Sequence, residues 1–173
     1  MEAEMTWITR LLGQKHAHAA EAPPEPGAPP PASPFPPSPL QARLRLQNPL
    51  LLPPLTLAYV GDSVYELYVR HRLLERGLIK VGDLHKAAVG YVRARAQARA
   101  LAELHPKLTA DEQDVVRRGR NAKSHGAPKS SDPAEYAAST AFETLVGFLY
   151  LAQREERLGE VLAAAARYVE MEL

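Results

Sequence analysis

Two carboxylates in this chain stand among apolar neighbours. Asp62 lies in Leu57-Ala-Tyr-Val-Gly-Asp-Ser-Val-Tyr65, and Glu143 lies in Ala141-Phe-Glu-Thr-Leu-Val-Gly-Phe-Leu-Tyr150. An ionised carboxylate taken out of water needs a counter-charge or a bound cation, because desolvation otherwise outweighs what burial returns. A divalent ion shared by the two is one such partner. Each also has an ordinary explanation: Asp62 caps a helix after Gly61, and Glu143 meets an arginine or solvent on the open side of its helix. Glu66 sits one helical turn beyond Asp62 and so shares its face, either as a supporting group or as the partner of Arg70 four residues on. His71 and His85 have no second histidine at ligand spacing, which points to structural roles. Arg117, Arg118, Arg120, Asn121 and Lys123, with Lys129 further on, have the composition expected for contacts to RNA phosphates and a shallow minor groove. The competing explanation is a solvated helix C-terminus favoured by the macrodipole.

These groups must be held by helices. From Leu55 onward the apolar residues recur with helical rather than alternating period, and punctuation separates five segments. The first runs to about Arg76 and stops at Gly77. Asp83 caps a second, long helix that continues to about Leu104, before His105-Pro106. Thr109 and Glu112 make a capping box for a third, with Val115 and Val116 followed by the basic run. Residues 124–131, containing Gly126 and Pro128, form a loop. Asp132 as cap, Pro133 at the first helical position and Glu135 in the first turn open a fourth helix reaching about Gln153. Leu158 to Tyr168 completes a fifth. The fold class expected is therefore all-α.

Composition limits the rest. Of 16 prolines, 13 lie between Pro23 and Pro54, so residues 1–49 read as a disordered, proline-rich extension with little to bury. Residues 50–173 remain, roughly 120 residues and enough for one core. Cysteine is absent, which excludes disulfides, thiolate metal sites and a cysteine nucleophile and fits a reducing compartment. No run reaches the roughly 18 apolar residues of a membrane span; a cytoplasmic protein without a membrane partner is expected. Net charge is only +1. Between Arg93 and Lys129, however, nine basic residues face four acidic ones, a bias that suits phosphates.

The longer strings add a resemblance. Leu57 to Glu66 is similar to the signature of ribonuclease III domains. Tyr68-Val-Arg-His-Arg-Leu-Leu74, Asp83-Leu-His-Lys86, Arg118-Gly-Arg-Asn-Ala-Lys-Ser124 and Ser139-Thr-Ala-Phe-Glu-Thr-Leu-Val-Gly147 resemble, in that order, Mini-ribonuclease III. The likeness spans about Leu50 to Glu160. It implies the ribonuclease III catalytic-domain fold, a homodimer without a separate double-stranded-RNA-binding domain, and Asp62 and Glu143 as catalytic ligands of Mg²⁺, with Mn²⁺ able to substitute. It also implies endonucleolytic cleavage of double-stranded RNA to 5′-phosphate and 3′-hydroxyl ends, in maturation of precursor large-subunit (23S) ribosomal RNA. Leu55, Ala58 and Thr140 stand where full-length ribonucleases III have further acidic residues. The alternatives are a catalytically silent RNA-binding module on the same fold and a helical protein-interaction scaffold.

Overall fold

The computed structural model describes residues 48–122 and 132–172. The proline-rich segment up to residue 47, Lys123, Lys129 and the expected loop at 124–131 lie outside the described residues. Within them the chain forms six α-helices and two short 3₁₀ turns, Pro49–Leu51 and His105–Lys107, and no strand. We number the helices α1 (Pro54–Glu75), α2 (Val81–Val92), α3 (Ala94–Leu104), α4 (Ala110–Arg120), α5 (Pro133–Leu151) and α6 (Glu155–Glu172).

The axis of the fold is α5. Its residues from Ser139 to Leu151 are buried on almost every side, Glu143 and Tyr150 being the half-buried exceptions. A helix apolar all round must be enclosed by others. Here α1 lies along it, with α3 and α4 on further sides and α6 covering α3. The start of α5 is encoded locally: the Asp132 carboxylate accepts from the Ala134 amide at 2.7 Å, and Pro133 occupies the first turn, where its missing N–H costs nothing. Tyr65 of α1 meets Phe142 of α5 edge-on, ring centroids 4.9 Å apart.

The ends of the helices follow their own chemistry. α1 begins at Pro54 and ends in Gly77, which takes the left-handed conformation at φ 85° while Leu78 N–H donates back to Leu73 O. Such a terminus favours glycine, which has no Cβ to strain it. α5 ends with the same hydrogen-bond pattern on Gln153 at φ 56°, with Arg154 N–H donating to Leu149 O. The capping box of α4 is present in full, Glu112 N–H donating to Thr109 Oγ1 and Thr109 N–H to Glu112 Oε2. Glu112 does more than cap. Fully buried, it receives Arg157 of α6 through two bonds of 2.9 Å, and that guanidinium holds its carboxyl below the usual range.

One expectation needs correction. The helix expected to run unbroken from Asp83 to Leu104 is two helices, parted at Arg93, whose ψ of 145° is extended. Asp83 lies inside the first turn of α2 rather than at its cap. The cause is tertiary: α2 packs against α1, whereas α3 packs against α5 and α6, and one straight rod cannot serve both. Arg93 starts the new direction, its carbonyl accepting from Ala96 and Gln97 N–H.

A last network fastens the C-terminal helix to the first. Glu170 of α6 accepts from Arg72 Nε at 2.7 Å, from Arg76 and from the Tyr91 hydroxyl. Burial opposes ionisation of Glu170, but the two guanidinium groups outweigh it and hold its carboxyl low.

Candidate active site

Asp62 and Glu143 are brought together by glycine. A Cβ placed on Gly61 of α1 would lie 1.9 Å from the Glu143 carbonyl oxygen, and one on Gly147 of α5 would lie 2.0 Å from the Leu57 carbonyl oxygen. No side chain fits in either place, so the two helices cross with their backbones in direct contact. Asp62 follows Gly61 in sequence, and Glu143 stands one turn before Gly147. The crossing therefore sets the two carboxylates beside each other.

Their electrostatics reflect that placement. Glu143 is half-buried, and its carboxyl is pushed up to about 7, first by burial and then by the charge of Asp62; the nearby side-chain amide of Gln97 opposes the shift. Asp62 reaches solvent, yet its carboxyl also lies above its ordinary value because of surrounding protein and then Glu66. Two carboxyls that both lie above their ordinary range, Glu143 partly through the charge of Asp62, form a site of excess negative charge. Oxygen donors of this kind suit a hard divalent cation, which keeps several waters and needs few carboxylates. No group of three or more histidine, aspartate or glutamate side chains at metal-binding distance exists among the described residues. Where further acids were in question, Leu55 is exposed and Ala58 and Thr140 are buried.

The neighbours take varied roles. Glu66 pairs with Arg70 at 2.5 Å, the structural alternative of the two considered for it. His71 is exposed and faces Glu75 at 3.3 Å, while His85 lines a groove with Arg70, Leu74, Val81 and Leu84. Of the basic run, Arg117 turns to Asp114 of its own helix at 2.5 Å. Arg118 is half-buried and donates to the carbonyls of Leu50 and Leu52 at 2.8 and 3.1 Å, clamping the segment that leads into α1. Arg120 and Asn121 are exposed at the end of α4. The end of α4 packs directly on α5, because a Cβ on Gly119 would stand 2.8 Å from Ala141 Cα and 2.5 Å from Thr144 Oγ1.

Sequence reasoning passed over Gln97. It is fully buried on α3, and neither its Nε2 nor its Oε1 makes a formed hydrogen bond. The signal was present: Gln97, Leu101 and Leu104 share the apolar side of α3, where a polar residue is out of pattern.

The Ribonuclease III domain model matches residues 55–154, more than half of the chain. A Mini-ribonuclease 3 of Symbiobacterium thermophilum is 68% identical over 127 residues, covering 73% of this chain and 98% of the relative. A Mini-ribonuclease 3 of Brevibacillus brevis is 48% identical, covering 73% of this chain and 94% of the relative. A crystal structure of a protein from Fusobacterium nucleatum is similar with a TM-score of 0.60 and 28% identity, over 69% of this chain and 93% of that one. The chain thus belongs to the ribonuclease III family, in its Mini-ribonuclease III branch, and is an endoribonuclease of that class. Among the described residues, no helix is long and apolar enough to cross a membrane.

Proposed function

We propose that this endoribonuclease cleaves double-stranded RNA in a Mg²⁺-dependent reaction, with Asp62 and Glu143 as the metal-binding, catalytic carboxylates. The observation that carries the reading is the glycine crossing: it forces two mutually repelling carboxylates together where a cation is their natural complement. Bound between them, Mg²⁺ or Mn²⁺ would supply an activated water and charge stabilisation at the phosphate. The protein's own part is to hold the two carboxylates, exclude competing side chains through Gly61 and Gly147, and place the duplex. In the hydrolysis, water oxygen bonds to phosphorus and the bond to the 3′ oxygen breaks. The leaving oxygen takes up a proton, so the ends are 5′-phosphate and 3′-hydroxyl.

Placement of the duplex falls to the end of α4 and the segment after it. Arg120 and Asn121 are exposed at the end of α4, and Arg117, Lys123 and Lys129 add basic residues to the same stretch of sequence. Arg118 contributes by its clamp as well as its charge. A-form duplexes are read through shape, phosphates and 2′-hydroxyls, which this set of donors suits. A homodimer gives one site per strand, and the exposed Tyr59 and Leu67 on α1, the helix bearing Asp62, supply apolar surface for a second copy to cover. The cytoplasm as location and precursor 23S ribosomal RNA as substrate rest on the resemblance to Mini-ribonuclease III.

The experiment is single-turnover cleavage of an end-labelled RNA duplex by Asp62→Asn and Glu143→Gln, beside duplex-binding measurements. Each swap keeps size and removes charge, so cleavage should be abolished while binding survives. Wild-type rates in either variant would remove that residue from the site. Absence of cleavage by the unmodified protein, with Mg²⁺ and with Mn²⁺, would favour the silent RNA-binding module.

A further inference from the structure

Gln97 has no reason to be where it is if it serves only the core. Its surroundings on α3 are Ala96, Ala100, Leu101 and Leu104, all buried, and its own side chain is fully enclosed. A buried primary amide carries two donors and two acceptor sites, and each left without a partner costs free energy that an apolar side chain of the same size would not. Both ends of this amide are in that condition. Methionine or leucine would fill the space without the penalty. Buried polar groups without partners are rare in native folds, and those that persist mark positions held for something other than stability.

What the amide faces is the carboxylate of Glu143. The two side chains lie in contact across the packing of α3 on α5, without the geometry of a completed hydrogen bond. An ionised carboxylate only accepts hydrogen bonds, so the amide must present its Nε2 to Glu143 and keep Oε1 for another donor. The break at Arg93 makes this meeting possible, since it opens a new helix whose first turn ends at Gln97.

We infer that Gln97 is a positioning residue of the metal centre. Its Nε2 fixes the orientation of the Glu143 carboxylate, which would hold the cation. Groups that orient a metal ligand by hydrogen bonding contribute about 10- to 100-fold in metal affinity. The inference rests on the reading of Asp62 and Glu143 as the cation site.

The test is Gln97→Met in the full chain, an unbranched apolar replacement of similar length. Three quantities are measured: Mn²⁺ affinity by calorimetry or electron paramagnetic resonance, binding to an RNA duplex without metal, and the melting temperature of the metal-free protein. A positioning role predicts Mn²⁺ affinity weaker by about 10- to 100-fold, duplex binding unchanged, and a melting temperature at or above wild type. A purely structural glutamine would leave Mn²⁺ affinity where it was. Gln97→Asn, which keeps an amide one methylene short, is the second variant should the first not fold; it too should bind Mn²⁺ more weakly. Wild-type Mn²⁺ affinity in either folded variant overturns the assignment. Asp62→Asn separates this from the reading beneath it. If Asp62→Asn itself binds Mn²⁺ like wild type, the cation site is elsewhere. If it loses Mn²⁺ while Gln97→Met does not, only the role of Gln97 falls.

Discussion

Replacing Glu143 by glutamine should make the metal-free protein more stable at pH 8 and change it little at pH 5. The carboxyl is raised from 4.5 to about 7 in the folded chain, so the folded state holds this proton more tightly than the unfolded state does. Stability is then greatest at low pH and is lost as pH climbs through the window between those two values. Two and a half units at 1.36 kcal/mol each set a ceiling of about 3 kcal/mol by pH 8, and under about 1 kcal/mol at pH 5. Glu143 is only half-buried, and solvent screening reduces the expected gain at pH 8 to about 1–2 kcal/mol. For a domain of this size that is about 4–8 °C in melting temperature. Melts of wild type and variant in a chelating buffer at the two pH values measure it. Equal increments at pH 5 and pH 8, or a loss at pH 8, would refute the account of a desolvated carboxyl repelled by Asp62. Adding Mn²⁺ at pH 8 should reverse the order, since only the wild type gains a bound cation.

Gly147→Ala should destabilise the fold by about 3 kcal/mol or more, because its Cβ would stand 2.0 Å from Leu57 O and force α1 and α5 apart; urea titration reports it, and a loss below 1 kcal/mol would mean the crossing is slack. Gln153→Gly should stabilise by about 0.5–1 kcal/mol, relieving the left-handed strain at φ 56°, and a lower melting temperature would contradict this. Arg118→Ala should lower the melting temperature through loss of its bonds to Leu50 and Leu52. Arg120→Ala should leave melting unchanged and reduce the magnitude of the log-log salt slope of duplex binding by roughly one unit; the same effect on both properties in both variants would erase the distinction.

The sequence announced some of this architecture and concealed the rest. Starts were legible wherever a side chain closes its own helix, as at Thr109, Glu112 and Asp132, because those hydrogen bonds span two or three residues. The end of α1 was legible through Gly77. Arg93 was not, since Gly90 before it lies inside α2 and the turn arises from what α2 and α3 pack against. The end of α5 was legible at about Gln153, but not its left-handed turn there, since glutamine is an unusual choice for such a terminus. At the site, Asp62 and Glu143 stood out as charges in apolar strings, but their juxtaposition depends on two glycines 86 positions apart in the chain. Arg118 shows the limit of composition. A basic run says where charge is, and only the fold reveals that one guanidinium is bound to backbone carbonyls.

That spacing has a consequence for how the protein is made. Synthesis proceeds at about 5–20 residues per second, so Gly61 is in the growing chain roughly 4–17 s before Gly147 exists. During that interval α1 can meet α2 but not α5, the helix it lies along, which has not been translated. Nor is α5 enclosed until α6 has followed it out of the ribosome. Its tether to α1 reaches back 98 residues, from Glu170 to Arg72. The helix that carries Glu143 must therefore emerge before the two carboxylates can meet, and a shorter nascent polypeptide holds Asp62 alone.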